Sequence, residues 1–132
     1  MAKHLIVSAD DFGLSIEVNE AVERAHRDGI LRSASLMVSA PATADAVRRA
    51  RALPDLHVGL HLVVVNGRPV LPPERLPALV DRDGAFPTDL VAAGVRYFFR
   101  PGARRQLEAE IRAQFEAYAR TGLGLDHVNA QN

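Results

Sequence analysis

Short apolar runs alternate with amphipathic stretches along most of this chain. Leu5-Ile6-Val7-Ser8-Ala9 is a β-branched run ending in Asp10-Asp11, and it predicts a buried strand with two carboxylates at its C-terminal end. Ser15 is placed to cap a helix running to about Arg27, on which Ile16, Val18, Ala21, Val22 and Ala25 keep a helical apolar period. Gly29 stands where a helix C-cap belongs. Ile30 to Val38 predicts a second strand centred on Ser35-Leu36-Met37-Val38, and Pro41 starts a helix continuing from Ala42 to Leu53. Leu56 to Val64 predicts a third strand, in the order His57-Val58-Gly59-Leu60-His61-Leu62-Val63-Val64.

An irregular stretch follows, from Val65 to about Gly102. It holds six of the eight prolines and the turn signatures Asn66-Gly67-Arg68-Pro69 and Asp83-Gly84. A loop of this length in a compact domain usually has a functional reason. Asp89 to Phe99 predicts a short helix within it. Ala103 to Arg120 predicts a long one, with Leu107, Ile111, Gln114, Phe115 and Tyr118 along one face, ended by Gly122 and Gly124. Leu125 to Ala130 begins a fourth strand. Strands alternating with helices imply parallel pairing through right-handed crossovers, so the expected fold is α/β: half of a (β/α) barrel or a small open sheet.

The chain stops on that predicted strand, with no helix to cover it. A parallel sheet normally has helices on its faces. Residues 1–132 therefore read as a single incomplete unit, part of a larger fold or a protomer that completes its core by pairing. The unpaired edge predicts a homo-oligomer.

Composition narrows the function classes. The 132 residues are 48% hydrophobic and 24% charged, as in an ordinary globular protein. Sixteen basic residues balance sixteen acidic ones, which argues against a nucleic-acid partner. Without cysteine there are no disulfides or thiolate metal sites. Leu5-Ile6-Val7 is too short for a signal sequence or a membrane span, so a soluble, cytoplasmic protein is expected.

Three places could carry chemistry. Asp10-Asp11 closes a strand where α/β folds put their active sites. Successive strand residues face opposite sides, but the turn at a strand end can bring both carboxylates to one pocket. One could then ligate a metal while the other acts as a base toward water. The same pair also fits a helix cap and a solvated turn residue. His61 closes an apolar strand, where an imidazole is costly without a partner. It reads as a ligand or as a hydrogen-bonded core residue. His57 lies about 13 Å up the strand, too far to share a metal with it. Gly59 hints at a close approach by backbone or ligand. His127 is the third place, with Asn129 and Gln131 at the alternate positions after it. His4 and His26 read as surface residues, no serine has a visible histidine–acid pairing, and Gly122-Leu123-Gly124 follows a helix rather than opening one.

Taken together these segments resemble a known family. Leu5-Ile6-Val7-Ser8-Ala9-Asp10-Asp11-Phe12-Gly13-Leu14-Ser15 resembles the opening signature of the YdjC-like carbohydrate deacetylases, and Asn19 follows at the family spacing. Ser33 to Val38 resembles the family's second strand and Val58 to Leu62 its third. Gly67 to Val70, Pro77 to Asp81 and Gly84 to Phe86 resemble its substrate-side loop, which points to Asn66, Gly67 and Pro69 as substrate-binding residues. Within the family the chain looks most like the subgroup associated with hopanoid biosynthesis.

The resemblance implies an irregular (β/α) barrel that hydrolyses an N-acetyl group on a sugar or glycolipid. It implies a divalent metal ion, Mg or Zn, held by Asp11, His61 and a third residue, with Asp10 as general base. Such a cation lowers the pKa of a bound water and polarises the acetyl carbonyl. Gln131 falls where the family has the third ligand, a histidine; its neutral amide oxygen is a poorer ligand for a zinc-like ion. That departure leaves room for a non-catalytic sugar-binding or assembly module on the same half-barrel. A different metal-using barrel hydrolase is the third reading.

Overall fold

The computed structural model describes residues 3–131. Met1, Ala2 and Asn132, the last residue of the stretch resembling the family's ligand region, lie outside them. The strands are β1 (Ser8–Phe12), β2 (Ser33–Leu36), β3 (His57–Leu62) and β4 (Val128–Ala130). The main helices are α1 (Ile16–Arg27), α2 (Thr43–Arg51), α3 (Leu90–Phe99) and α4 (Pro101–Arg120). The sheet is wholly parallel and its spatial order is the chain order, β1-β2-β3-β4. Successive right-handed crossovers that step in one direction put their helices on one face, which is the winding of a barrel wall.

The side chains sort accordingly. Ala34, Leu36, Val58 and Leu60 join Val22, Ala46, Ala50 and Tyr118 in one apolar core. The alternate positions, Ser33, Ser35, His57, Gly59 and His61, line the other face. A second core gathers Val63, just past β3, and Val65, Leu76, Leu79 and Phe86 of the irregular stretch with Ala93 and Tyr97 of α3 and Ala103 of α4. That stretch is thus a packed structure, with one 3-10 turn at Pro73–Arg75.

Several boundaries differ from expectation. β1 begins at Ser8 and contains both aspartates, while Leu5 and Ile6 are 80% and 84% exposed. The apolar run lies before the register with β2 begins, at Ser8 opposite Ser33, so it has no strand to pair with. Ile30 likewise precedes β2 and is exposed. α2 starts two residues after Pro41, with Thr43 Oγ1 donating back toward the Met37 and Ala40 carbonyls. On α4 Gln114 is fully buried on the expected face, but the exposed Phe115 leaves that face and Glu110 is fully buried instead. Ser15 caps α1 as read, its Oγ accepting from Val18 N; α3 starts at Leu90, one residue after the expected start, and Asp89 serves as its cap, Oδ1 accepting from Ala92 N. No helix among the described residues is long and apolar enough to cross a membrane.

Candidate metal and catalytic site

Asp10, Asp11 and His61 meet at the C-terminal end of the sheet. The strand end does relax the alternation. Between Ala9 and Phe12 the β1–β2 register shifts, and Asp11 takes a left-handed φ of 60°. An aspartate tolerates that backbone better than most residues, and such local strain tends to sit at functional sites. The bulge turns Asp11 toward His61, whose Nε2 lies 3.3 Å from Asp11 Oδ1. His61 is 3% exposed, so its ring is held by the protein rather than by bulk water.

Two residues to which sequence reasoning gave no role, Ser35 and the Asn129 noted only as a position after His127, complete the cluster. Ser35 Oγ donates to Asp10 Oδ1 at 2.7 Å. Asn129 Nδ2 donates to the same oxygen at 2.8 Å, and Asn129 Oδ1 lies 2.8 Å from His61 Nδ1. Their signal is register: Ser35 pairs with Gly59 and His61 with Asn129 across three adjacent parallel strands. The hydrogen bond from Ser35 outweighs the opposing effect of burial, and with the smaller contributions of the Asn129 hydrogen bond and of nearby His61 and His127 it holds the Asp10 carboxyl below its usual range. Asp10 is therefore a carboxylate at neutral pH.

The turn carrying these carboxylates is anchored by Asn19. Its fully buried amide accepts from Gly13 N at 2.8 Å and donates to the Ala42 carbonyl at 3.1 Å and to Asp45 Oδ2 at 3.0 Å.

The remaining candidates sit differently. Gln131 lies past the end of β4, its N–H bonded to the Leu62 carbonyl. Its Nε2 makes one long contact, 3.5 Å to the Asn66 carbonyl, and its buried Oε1 has no hydrogen-bond partner. It shares the sheet end with Asp11 and His61 but none of their hydrogen bonds. His127 Nδ1 bonds Asp126 Oδ2, and Asp126 Oδ1 also meets His57, at the other end of the strands. The His127 carbonyl and ring lie across Gly59, where a Cβ would come within 2.5 Å of the carbonyl oxygen and 2.6 Å of the ring; the carbonyl is the close backbone approach anticipated at that glycine. A cleft of about 480 Å³ lined by His57, Leu125 and Asp126 opens at that far end, away from Asp11.

In the loop, Asn66 takes a left-handed φ of 48° and is exposed. A Cβ on Gly67 would strike Val63 Cγ1, so packing alone explains that glycine. Half-buried Pro69 precedes the point where α4 grips the loop: Glu110 accepts from Val70 N at 2.8 Å and Leu71 N at 2.9 Å. Gln114 bonds both the N–H and the carbonyl of Val63.

Does this donor set suit a divalent cation? Among the described residues no three His, Cys, Asp or Glu side chains converge as a complete metal cage. The pair that does converge fits. Ligands about 2.1 Å from a tetrahedral ion are roughly 3.4 Å apart, and around an octahedral ion roughly 3.0 Å. The 3.3 Å between Asp11 Oδ1 and His61 Nε2 lies in that span. One carboxylate oxygen and one imidazole nitrogen suit either Mg or Zn. The unpartnered Gln131 amide oxygen is a further neutral donor at the same end of the sheet.

The model of the family described as YdjC-like protein matches residues 4–132. A carbohydrate deacetylase from Vibrio vulnificus strain CMCP6 is 39% identical over 128 residues, 97% of this chain and 48% of that protein. A carbohydrate deacetylase from Geobacillus stearothermophilus is 38% identical over 133 residues, 100% of this chain and 50% of that protein. Among solved structures, a protein described as a cellobiose-phosphate cleavage protein from Enterococcus faecalis V583 superposes with a TM-score of 0.82 at 28% identity. That match covers 96% of this chain and 47% of the other. The chain spans about half the length of the curated relatives it matches.

Proposed function

This chain belongs to the YdjC-like protein family, and from that premise we propose that it carries one half of the active site of a metal-dependent carbohydrate deacetylase. The observation that carries the reading is the meeting of Asp10, Asp11 and His61 at one sheet end, with Asp11 and His61 spaced for a shared cation. The reaction is hydrolysis of the amide of an N-acetylated sugar: water adds to the acetyl carbon, the C–N bond breaks, and acetate and a free amine leave.

Asp11 and His61 would hold the divalent ion, with Gln131 as the doubtful third position. When bound, the ion supplies Lewis-acid polarisation of the acetyl carbonyl. Asp10 is the general base. Its Oδ1 is taken up by Ser35 and Asn129, so the other oxygen is the one left to accept a proton from water. Held ionised by those donors, it is ready at neutral pH. Asn66, Gly67 and Pro69 would form the sugar-side wall, with Glu110 holding the backbone behind it.

Within this class we propose a glycosylated hopanoid lipid as the substrate, as the sequence resemblance suggests. A lipid-borne sugar is supported by α3, where Val91, Val95, Phe98 and Phe99 are exposed beside Arg100 and Arg104. A cytoplasmic homo-oligomer is part of the same proposal. Both β1 and β4 have a neighbour on one side only among the described residues. A sugar-binding module without catalysis is the second reading, favoured by Gln131 in place of a histidine.

Zinc and magnesium titrations by calorimetry separate the two. Micromolar binding that Asp11→Ala abolishes supports the deacetylase site. Folded protein that binds neither ion supports the module. Acetate release from N-acetylglucosamine conjugates by the longer protein, lost in Asp10→Asn, tests the chemistry; release of phosphate or of other acids instead would point to another hydrolase.

A further inference from the structure

The hydrogen bonds at the site have a direction, and it can be read outward from Asp10. An ionised carboxylate only accepts. Asn129 therefore turns its NH2 toward Asp10 Oδ1, at 2.8 Å. That leaves the amide oxygen facing His61 Nδ1, also at 2.8 Å. An amide oxygen only accepts as well, so the proton on this imidazole belongs on Nδ1. Ser35 Oγ, at 3.4 Å from Nδ1, spends its own proton on Asp10 and offers that nitrogen only a lone pair. With that hydroxyl proton on Asp10, no other side chain among the described residues is bonded to Nδ1 as a donor. The Asp11 carboxylate oxygen competes for a proton on Nε2, but at 3.3 Å it is beyond the usual N–H···O range, so the 2.8 Å contact to Asn129 decides the tautomer and leaves the Nε2 lone pair facing Asp11.

We propose that Asn129 is a positioning residue that locks His61 in the Nδ1–H tautomer, so that Nε2 and Asp11 Oδ1 present two lone pairs to one cation. The purpose rests on the deacetylase reading; the tautomer does not. A histidine side chain in water prefers the proton on Nε2, so the protein holds His61 against the intrinsic preference, and the lock is measurable without metal. Metal-binding histidines commonly have their second nitrogen fixed by such an acceptor. Here the acceptor is itself oriented by the general base, which ties the base and the ligand into one hydrogen-bonded chain.

The test is long-range proton–nitrogen correlation NMR on the metal-free 132-residue chain with 15N-labelled histidine, at about pH 8, above the usual imidazole range. His61 is assigned by the signal that His61→Gln removes. The expected result is a pyrrole-like Nδ1 and a pyridine-like Nε2 for His61. In Asn129→Ala the Nε2–H form should rise to half the population or more, with the His57 and His127 patterns unchanged. Asn129→Val, β-branched and suited to a strand, serves if the alanine variant does not fold.

A wild-type His61 protonated on Nε2, or on both nitrogens, overturns the proposal. So does a tautomer ratio that neither variant moves. Zinc affinity of the same proteins gives the second readout, expected to fall about 10–100-fold in Asn129→Ala. A wild-type chain that shows the Nδ1–H tautomer but binds no zinc sinks the metal reading and leaves the lock standing. One that binds zinc but carries its proton on Nε2 does the reverse.

Discussion

Asn19→Ala is the substitution whose cost the structure defines most closely. The side chain is fully buried and makes three hydrogen bonds. Truncation affects their partners unequally. The Ala42 carbonyl also accepts from Ala46 N at 3.0 Å, so it stays paired. Asp45 keeps its arginine partners. The Gly13 N–H is different: its bond is buried and Asn19 Oδ1 is its acceptor. Leaving that donor orphaned costs about 1–3 kcal/mol. The space left by the amide adds on the order of 1 kcal/mol. The expected loss is therefore about 2–4 kcal/mol, a large fraction of a domain's usual stability of about 5–15 kcal/mol. Urea unfolding followed by circular dichroism measures it. Asn19→Asp is the informative partner, since it keeps the acceptor for Gly13 N but sets a carboxylate against Asp45. Its penalty should shrink as the pH is lowered and one of the two protonates. A change within about 0.5 kcal/mol for Asn19→Ala would refute the reasoning, because surface-like tolerance is incompatible with a buried unpaired donor.

Two further outcomes are expected. Glu110→Ala leaves the Val70 and Leu71 N–H groups without their acceptor, so stability should fall by about 2–5 kcal/mol, and amide hydrogen exchange at both residues should speed up. Asp45 is held at about 2 by Asn19 first and then Arg49, below the ordinary 3.8. Its folded value is depressed, so its contribution is complete above the ordinary value and is lost as pH falls toward about 2. Acid titration of stability should be shallower across that window in Asp45→Asn; an unchanged slope would contradict the assignment.

The parts of this site that lie at strand ends were legible from the chain itself. Parallel strands deliver their C-terminal residues to one edge, so Asp10-Asp11 and His61 could be brought together from pattern and spacing. Ser35 and Asn129 were not legible as members, because their roles depend on register between strands far apart in sequence. Glu110 was hidden for another reason. A carboxylate among Ile111, Gln114 and Tyr118 reads as the polar edge of an amphipathic helix, until the loop whose N–H groups it accepts is folded over it. Leu5-Ile6 shows the converse. An apolar β-branched run looks like a strand wherever it occurs, but only a neighbour in register makes it one. The likeness to deacetylases, by contrast, rested on motifs that needed no geometry at all.

The grip of α4 on the loop has a practical corollary for altering what the protein accepts. Glu110 and Gln114 hold residues 63, 70 and 71 through main-chain atoms only, so the frame of the loop proposed as the sugar-side wall is held without calling on the side chains it displays. On the proposed reading, positions 68 and 69 could be varied in a library while the scaffold behind them stays as it is, whereas position 66, at a left-handed φ of 48°, is best kept to Asn, Asp or Gly.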